Sequence, residues 1–86
     1  MNQIKKHLLL AYKELYPELT FDALVMKINR EFLKASMRQI GDDLGVSKQS
    51  VEKWEKGQVG MSDKLKLRIA EALKFDVNEF KPEYWD

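Results

Sequence analysis

Bond-making chemistry has little to work with in this sequence. Its 86 residues include no cysteine and one histidine, His7. That removes disulfide frameworks, thiolate metal sites and cysteine nucleophiles, and makes any histidine-based metal cluster or Ser-His-Asp arrangement depend on a single imidazole near the N-terminus. No enzymatic activity and no cofactor are expected. Asp42 and Asp43 look like paired carboxylates, but adjacent helix positions point in different directions. A solvated surface is the plain reading of that pair, and contact with a partner protein the alternative. Lys48, Gln49, Glu52, Lys53 and Lys56 are a different matter, because they make up the polar side of a short helical segment whose other side carries Val51 and Trp54. Donors and cations displayed together suit recognition rather than catalysis, although the same row could be an ordinary solvated helix face.

The segment must be held by one small domain. A chain of this length hides roughly 60–65% of its unfolded surface. With 44% hydrophobic and 34% charged residues, four Gly and two Pro, the composition is globular and argues against long disordered tracts. The longest apolar run, Leu8 to Tyr12, falls far short of the roughly 20 residues that span a bilayer. Lys5, Lys6 and His7 before it imitate a signal peptide only faintly, since no small-residue cleavage site follows. A cytoplasmic protein with no membrane partner is expected. Net charge is +1, unevenly spread: residues 1–70 carry 13 basic and 9 acidic residues (+4), residues 71–86 carry 2 and 5 (−3). A mildly basic body with an acidic end is compatible with binding DNA on one face.

Five or six short helices and almost no strand signal emerge along the chain, so the expected fold class is all-α, a compact five- to six-helix bundle. Residues 1–19 read as an amphipathic helix with the stripe Ile4, Leu8, Tyr12 (or Ala11) and Leu15, ended by Pro17. It packs on its own domain or faces a second subunit. Thr20 caps the next helix, with Asp22 in its positive first turn and Leu24, Ile28 and Phe32, beside Val25 and Met26, as the buried side. Ser36 and Gln39 have the spacing of a capping box for a helix carrying Met37, Ile40 and Leu44 inward, which Gly45 stops. Ser47 caps the segment with Val51 and Trp54, and Gly57 ends it. Ser62 caps a helix with Leu65, Leu67, Ile69, Ala70 and Leu73 over a wide buried arc. Asp76 and Glu79 suggest a further box before a last turn with Val77 and Phe80 inward. Pro82 ends regular structure, leaving residues 82–86 as an acidic and aromatic tail.

Two helices therefore meet across Asp43-Leu44-Gly45-Val46-Ser47, and helix, glycine-containing turn, helix is the unit that places its second helix in the DNA major groove. Residue types make the match more specific. The matching stretch runs from Ser36 to Phe80, about half the chain, and reads SMRQIGDDLGVSKQSVEKWEKG and, after the four residues QVGM, SDKLKLRIAEALKFDVNEF. LGVS, then x-x-S-V-x-x-W-E-x-G, then a capped helix ending A-x-A-L before V-x-E-F, resembles the Cro/cI-type (XRE family) helix-turn-helix regulators of bacteria and their phages. Gly41 stands where that family usually has alanine, at a cost of about 0.5–1 kcal/mol of helix propensity. Met37 replaces a phosphate-touching glutamine, Met61 a frequent proline, and Phe75 and Asp76 the usual small turn residues.

The resemblance implies a lambda-repressor-like domain over residues 20–81 with an extra N-terminal helix. It implies recognition helix 47–56 in the major groove, where Lys48, Gln49, Ser50 and Lys53 would face base edges: Gln49 paired with adenine, the lysines with guanine. Ser36, Arg38, Gln39, Ser47, Lys56, Gln58 and Lys64 would contact phosphates. Arg30 would pair with Glu55, while Trp54, Val51, Leu44 and Gly45 would be structural. The implied function is a small repressor acting as a homodimer on palindromic double-stranded DNA. Alternatives are an antitoxin that also binds a toxin, through the N-terminal segment or the Tyr84-Trp85 tail, and an anti-repressor that uses the fold to bind protein.

Overall fold

Serine and threonine hydroxyls start four of the helices. The computed structural model describes residues 3–86 as five α-helices, α1 (Gln3–Leu15), α2 (Phe21–Leu33), α3 (Met37–Leu44), α4 (Lys48–Glu55) and α5 (Asp63–Leu73). Two 3-10 helices follow, Val77–Phe80 and Pro82–Trp85, with no strand among the described residues. Thr20, Ser36, Ser47 and Ser62 each hold an extended backbone and accept a backbone N–H three residues on, at 3.1–3.2 Å. At Ser36 the box is complete, since Gln39 Oε1 accepts the Ser36 N–H at 2.8 Å. Each cap satisfies donors that the first helical turn leaves without a partner.

The same four helices also end alike, with a left-handed residue just past each helix and paired 5→2 and 6→1 backbone bonds. Gly45 and Gly57 take this position after α3 and α4, whereas α2 and α5 use Lys34 (φ 60°) and Lys74 (φ 59°). A lysine there carries a steric cost that glycine avoids.

α2 is the central strut. Ala23, Leu24, Val25, Met26, Ile28 and Asn29 are all buried, and α2 meets α1, α4, α5 and the first 3-10 helix. Leu9, Ile40, Leu44, Val51, Ile69, Leu73, Phe80 and Trp85 complete the core. The Asp22 carboxylate pairs with Lys66 of α5 at 3.2 Å. The overall extents are 33 × 24 × 24 Å.

Several expectations need correction. On α1 the buried residue is Leu9, with Leu8 and Tyr12 half-buried, while Ile4 and Leu15 are 63% and 66% exposed. The cause is a polar anchor: Lys5 reaches Glu79 at 3.1 Å and lies over the Phe32 and Phe75 rings, which turns that edge of the helix toward the body. Phe32 is in consequence an exposed lid on an ammonium, and Leu67 also faces outward. Asp76 caps through the Asn78 N–H at 2.9 Å, and Glu79 does not reach back to it. That box fails because the Glu79 carboxylate is buried and held by Lys5 and by Asn29 Nδ2 at 3.1 Å. Nor does regular structure stop at Pro82. The proline opens the second 3-10 helix, and Trp85 is 5% exposed with its indole N–H donating to the Glu79 carbonyl at 2.8 Å. Trp85 is a core residue of this chain.

Candidate nucleic-acid interface

The turn between α3 and α4 is built by close backbone approach. Gly45 sits at φ 71°, and the Val46 N–H folds back onto the Gly41 carbonyl at 2.8 Å. A Cβ on Gly41 would lie 2.7 Å from the Val46 carbonyl oxygen. Gly41 is thus more than a helix-propensity cost; it lets the turn close against its own helix. Arg68 of α5 donates to the Leu44 carbonyl at 2.7 Å, satisfying an acceptor at the end of α3 just before the turn.

α4 leaves this turn with two chemically distinct sides. Val51 and Glu55 are buried and Trp54 is half-buried against the core. Lys48, Gln49, Lys53 and Lys56 are exposed. Lys48 Nζ lies 3.7 Å from Glu52 Oε1, one turn on. Such an open pair contributes little stability, so the ammonium can leave it for a stronger anion. Ser50 is half-buried, and its hydroxyl lies 3.2 Å from that of the Ser47 cap, which makes it the most constrained of the four predicted base readers.

The far end of α4 is pinned to α2. Arg30 Nε and Nη2 donate to the two Glu55 carboxylate oxygens at 2.5 and 3.1 Å, and Nη1 donates to the Ala35 carbonyl at 3.1 Å. Burial pushes the Arg30 guanidinium down, but the Glu55 hydrogen bond and charge outweigh it, so Arg30 is held above its ordinary value. The guanidinium stays charged at any working pH. Beside it, with Glu31 Oε2 4.0 Å from Arg30 Nη2, the Tyr12 hydroxyl donates to Glu31 Oε1 at 2.5 Å; this bond, with burial and the Glu31 charge, pushes the phenol up to about 12.

The predicted phosphate contacts fall into two groups. Ser36 and Ser47 serve as caps, Arg38 is exposed in the first turn of α3, and Lys56, Gln58 and Lys64 are exposed beyond α4 and at the start of α5. Gln39 lines a cleft of about 430 Å³ together with Asp42, Asp43, Lys34 and Lys74. Its Oε1 is occupied by the cap, leaving the NH2 group as its donor. α1 packs on α2 and reaches the first 3-10 helix through Lys5, with Tyr12 bonded to Glu31 of α2, and the α4 row is left exposed.

Arg68 and the Lys5–Glu79–Asn29 cluster went unanticipated. Asn29 in an otherwise apolar stretch of α2 was the signal available, since a buried amide demands partners. Glu79 gave none, because its spacing from Asp76 already had a local explanation. Among the described residues no group of three or more His, Asp or Glu could hold a metal ion, and no helix is long and apolar enough to cross a membrane. Comparison with family models, curated proteins and solved structures returns no match for this chain.

Proposed function

We propose that this chain binds double-stranded DNA sequence-specifically as a small transcriptional regulator of the Cro/cI-like kind. In this reading residues 20–81 form a lambda-repressor-like unit, α1 is an addition to it, and two copies act on a palindromic site. The observation that carries the reading is the two-sidedness of α4, in which Val51, Glu55 and the Arg30 fork hold one side down while Lys48, Gln49, Lys53 and Lys56 stand in solvent. A major groove about 12 Å wide accepts one helix presented in this way. Gln49 is the adenine reader, and Lys53 is the guanine reader with no neighbouring carboxylate to displace. Lys48 reads the next position after releasing Glu52. Arg38, Gln39, Lys56, Gln58 and Lys64 set register on phosphates together with the capped starts of α3 and α4.

A net charge of +1 fits modest non-specific affinity. If about four to six phosphates are neutralised per subunit, log K falls against log salt with a slope of about −0.9 per contact. Selection of bound duplexes from a random pool tests the proposal, repeated with Gln49→Ala and Lys53→Ala. Each variant should lose preference at its own base position, by about 1–3 kcal/mol, and keep it elsewhere. A pool that yields no preferred sequence, or variants that weaken all sequences alike, would defeat the assignment.

A second reading, in which the same fold serves as an antitoxin or anti-repressor, draws on the exposed apolar residues of α1, Leu10 and Leu15. Of the tail, Trp85 is buried in its own core and Tyr84 is half-buried beside it.

A further inference from the structure

We propose that the outer face of α1 is the seam of a homodimer in which two α1 helices pair antiparallel. The face runs Ile4, Leu8, Ala11, Leu15, with Ile4 63% and Leu15 66% exposed, Ala11 exposed and Leu8 half-buried. Steps of four, three and four residues keep one stripe in line along a helix about 20 Å long. The order of steps is the same from either end. A twofold axis across α1 therefore lays the stripe on itself, with Ile4 opposite Leu15 of the second copy and Leu8 opposite Ala11.

Charge decides the direction and the occupant. His7 and Glu14 are both exposed and border the stripe on the same side, away from α2. They are two turns apart, about 10 Å along the axis, so they cannot pair within one chain. In an antiparallel pair His7 of each copy comes beside Glu14 of the other, giving two equivalent imidazole–carboxylate contacts. A parallel pair would carry the partner's copy of this border to the far side of the seam, so His7 and Glu14 would find no such mates. The other border needs no partner, since Tyr12 is held by Glu31 and Lys5 by Glu79. The stripe is short, so the interface falls at the small end, below about 1,200 Å² in total, and the dimer is weak and concentration-dependent.

The inference stands apart from DNA binding: a chain that bound no DNA would still associate through this face, and one that associated elsewhere would still display the α4 row. Sedimentation equilibrium of the full chain, from about 10 µM to 1 mM, tests it. Leu15→Glu should weaken association at least about tenfold, because the change enters the seam twice. His7→Glu and Glu14→Lys should each weaken it about fourfold, as two exposed pairs worth roughly a factor of two each are lost. The double variant His7→Glu/Glu14→Lys should return to the parent's affinity, and its circular dichroism should match the parent's. A chain monomeric throughout, a dimer indifferent to Leu15→Glu, or a double variant no tighter than the singles would overturn the proposal.

Discussion

Arg30→Ala examines the joint on which the orientation of α4 depends. The substitution strands the Glu55 carboxylate, whose side chain is 3% exposed, while the Arg30 side chain it loses is itself 15% exposed. Breaking a buried ion pair from one side costs about 3–5 kcal/mol, because the remaining charge has neither partner nor water. The residual exposure of Arg30 places the expectation at about 3 kcal/mol. For a domain of this size that corresponds to a fall in melting temperature of about 12–24 °C. Part of the loss belongs to the bond from Nη1 to the Ala35 carbonyl, which Arg30→Lys also surrenders, since an ammonium cannot span three acceptors in the same geometry. Glu55→Gln should cost less, about 1–2 kcal/mol, because one acceptor survives and the guanidinium can take up water from its exposed edge. Urea unfolding followed by circular dichroism measures all three, with the slope m held constant as the check that the folded and unfolded states are unchanged. An Arg30→Ala midpoint within about 0.5 kcal/mol of the parent would refute the claim that this fork holds α4 to α2.

Further expectations concern positions where the structure overrides a simple propensity argument. Lys34→Gly and Lys74→Gly should each stabilise the protein by roughly 0.5–1 kcal/mol in thermal unfolding, because glycine accepts the left-handed conformation these lysines now hold; destabilisation by either would show that its side chain contributes more in the cleft than its backbone costs. Gly41→Ala should destabilise by about 1 kcal/mol despite alanine's better helix propensity, since its Cβ meets a backbone oxygen at 2.7 Å; a gain in stability would mean that the turn yields easily. Trp85→Ala should cost about 3–5 kcal/mol, whereas an exposed tail residue would cost almost nothing. In alkaline titration at 295 nm, the tyrosine removed by Tyr12→Phe should be one that ionises near pH 12. Because its folded value lies above the ordinary one near 10, the stability it contributes is complete below about pH 10 and is lost as pH rises through 12. Glu31→Gln should bring that ionisation back toward the ordinary value, and an unchanged curve would rule out the Tyr12–Glu31 bond.

What could be read directly from the chain is the set of features that close within a few residues. Caps at Thr20, Ser36, Ser47 and Ser62, and the left-handed stops at Gly45 and Gly57, are bonds between neighbours, so side-chain type and spacing specify them. The inward residues of α3 and α4 follow the same logic, because a single apolar stripe leaves no choice of side. Tertiary structure decided everything for which the chain offered two answers. On α1 both flanks carry apolar residues, and the bond from Lys5 to Glu79, 74 positions away, selected the Leu9 edge over the Ile4–Leu15 edge. The same carboxylate gave up a local capping role for a buried one, and Trp85 turned from a tail into core because the Glu79 carbonyl and an apolar recess lay within its reach. Local hydrogen bonds are chosen by sequence distance, but burial is chosen by which surfaces remain uncovered once the helices have met.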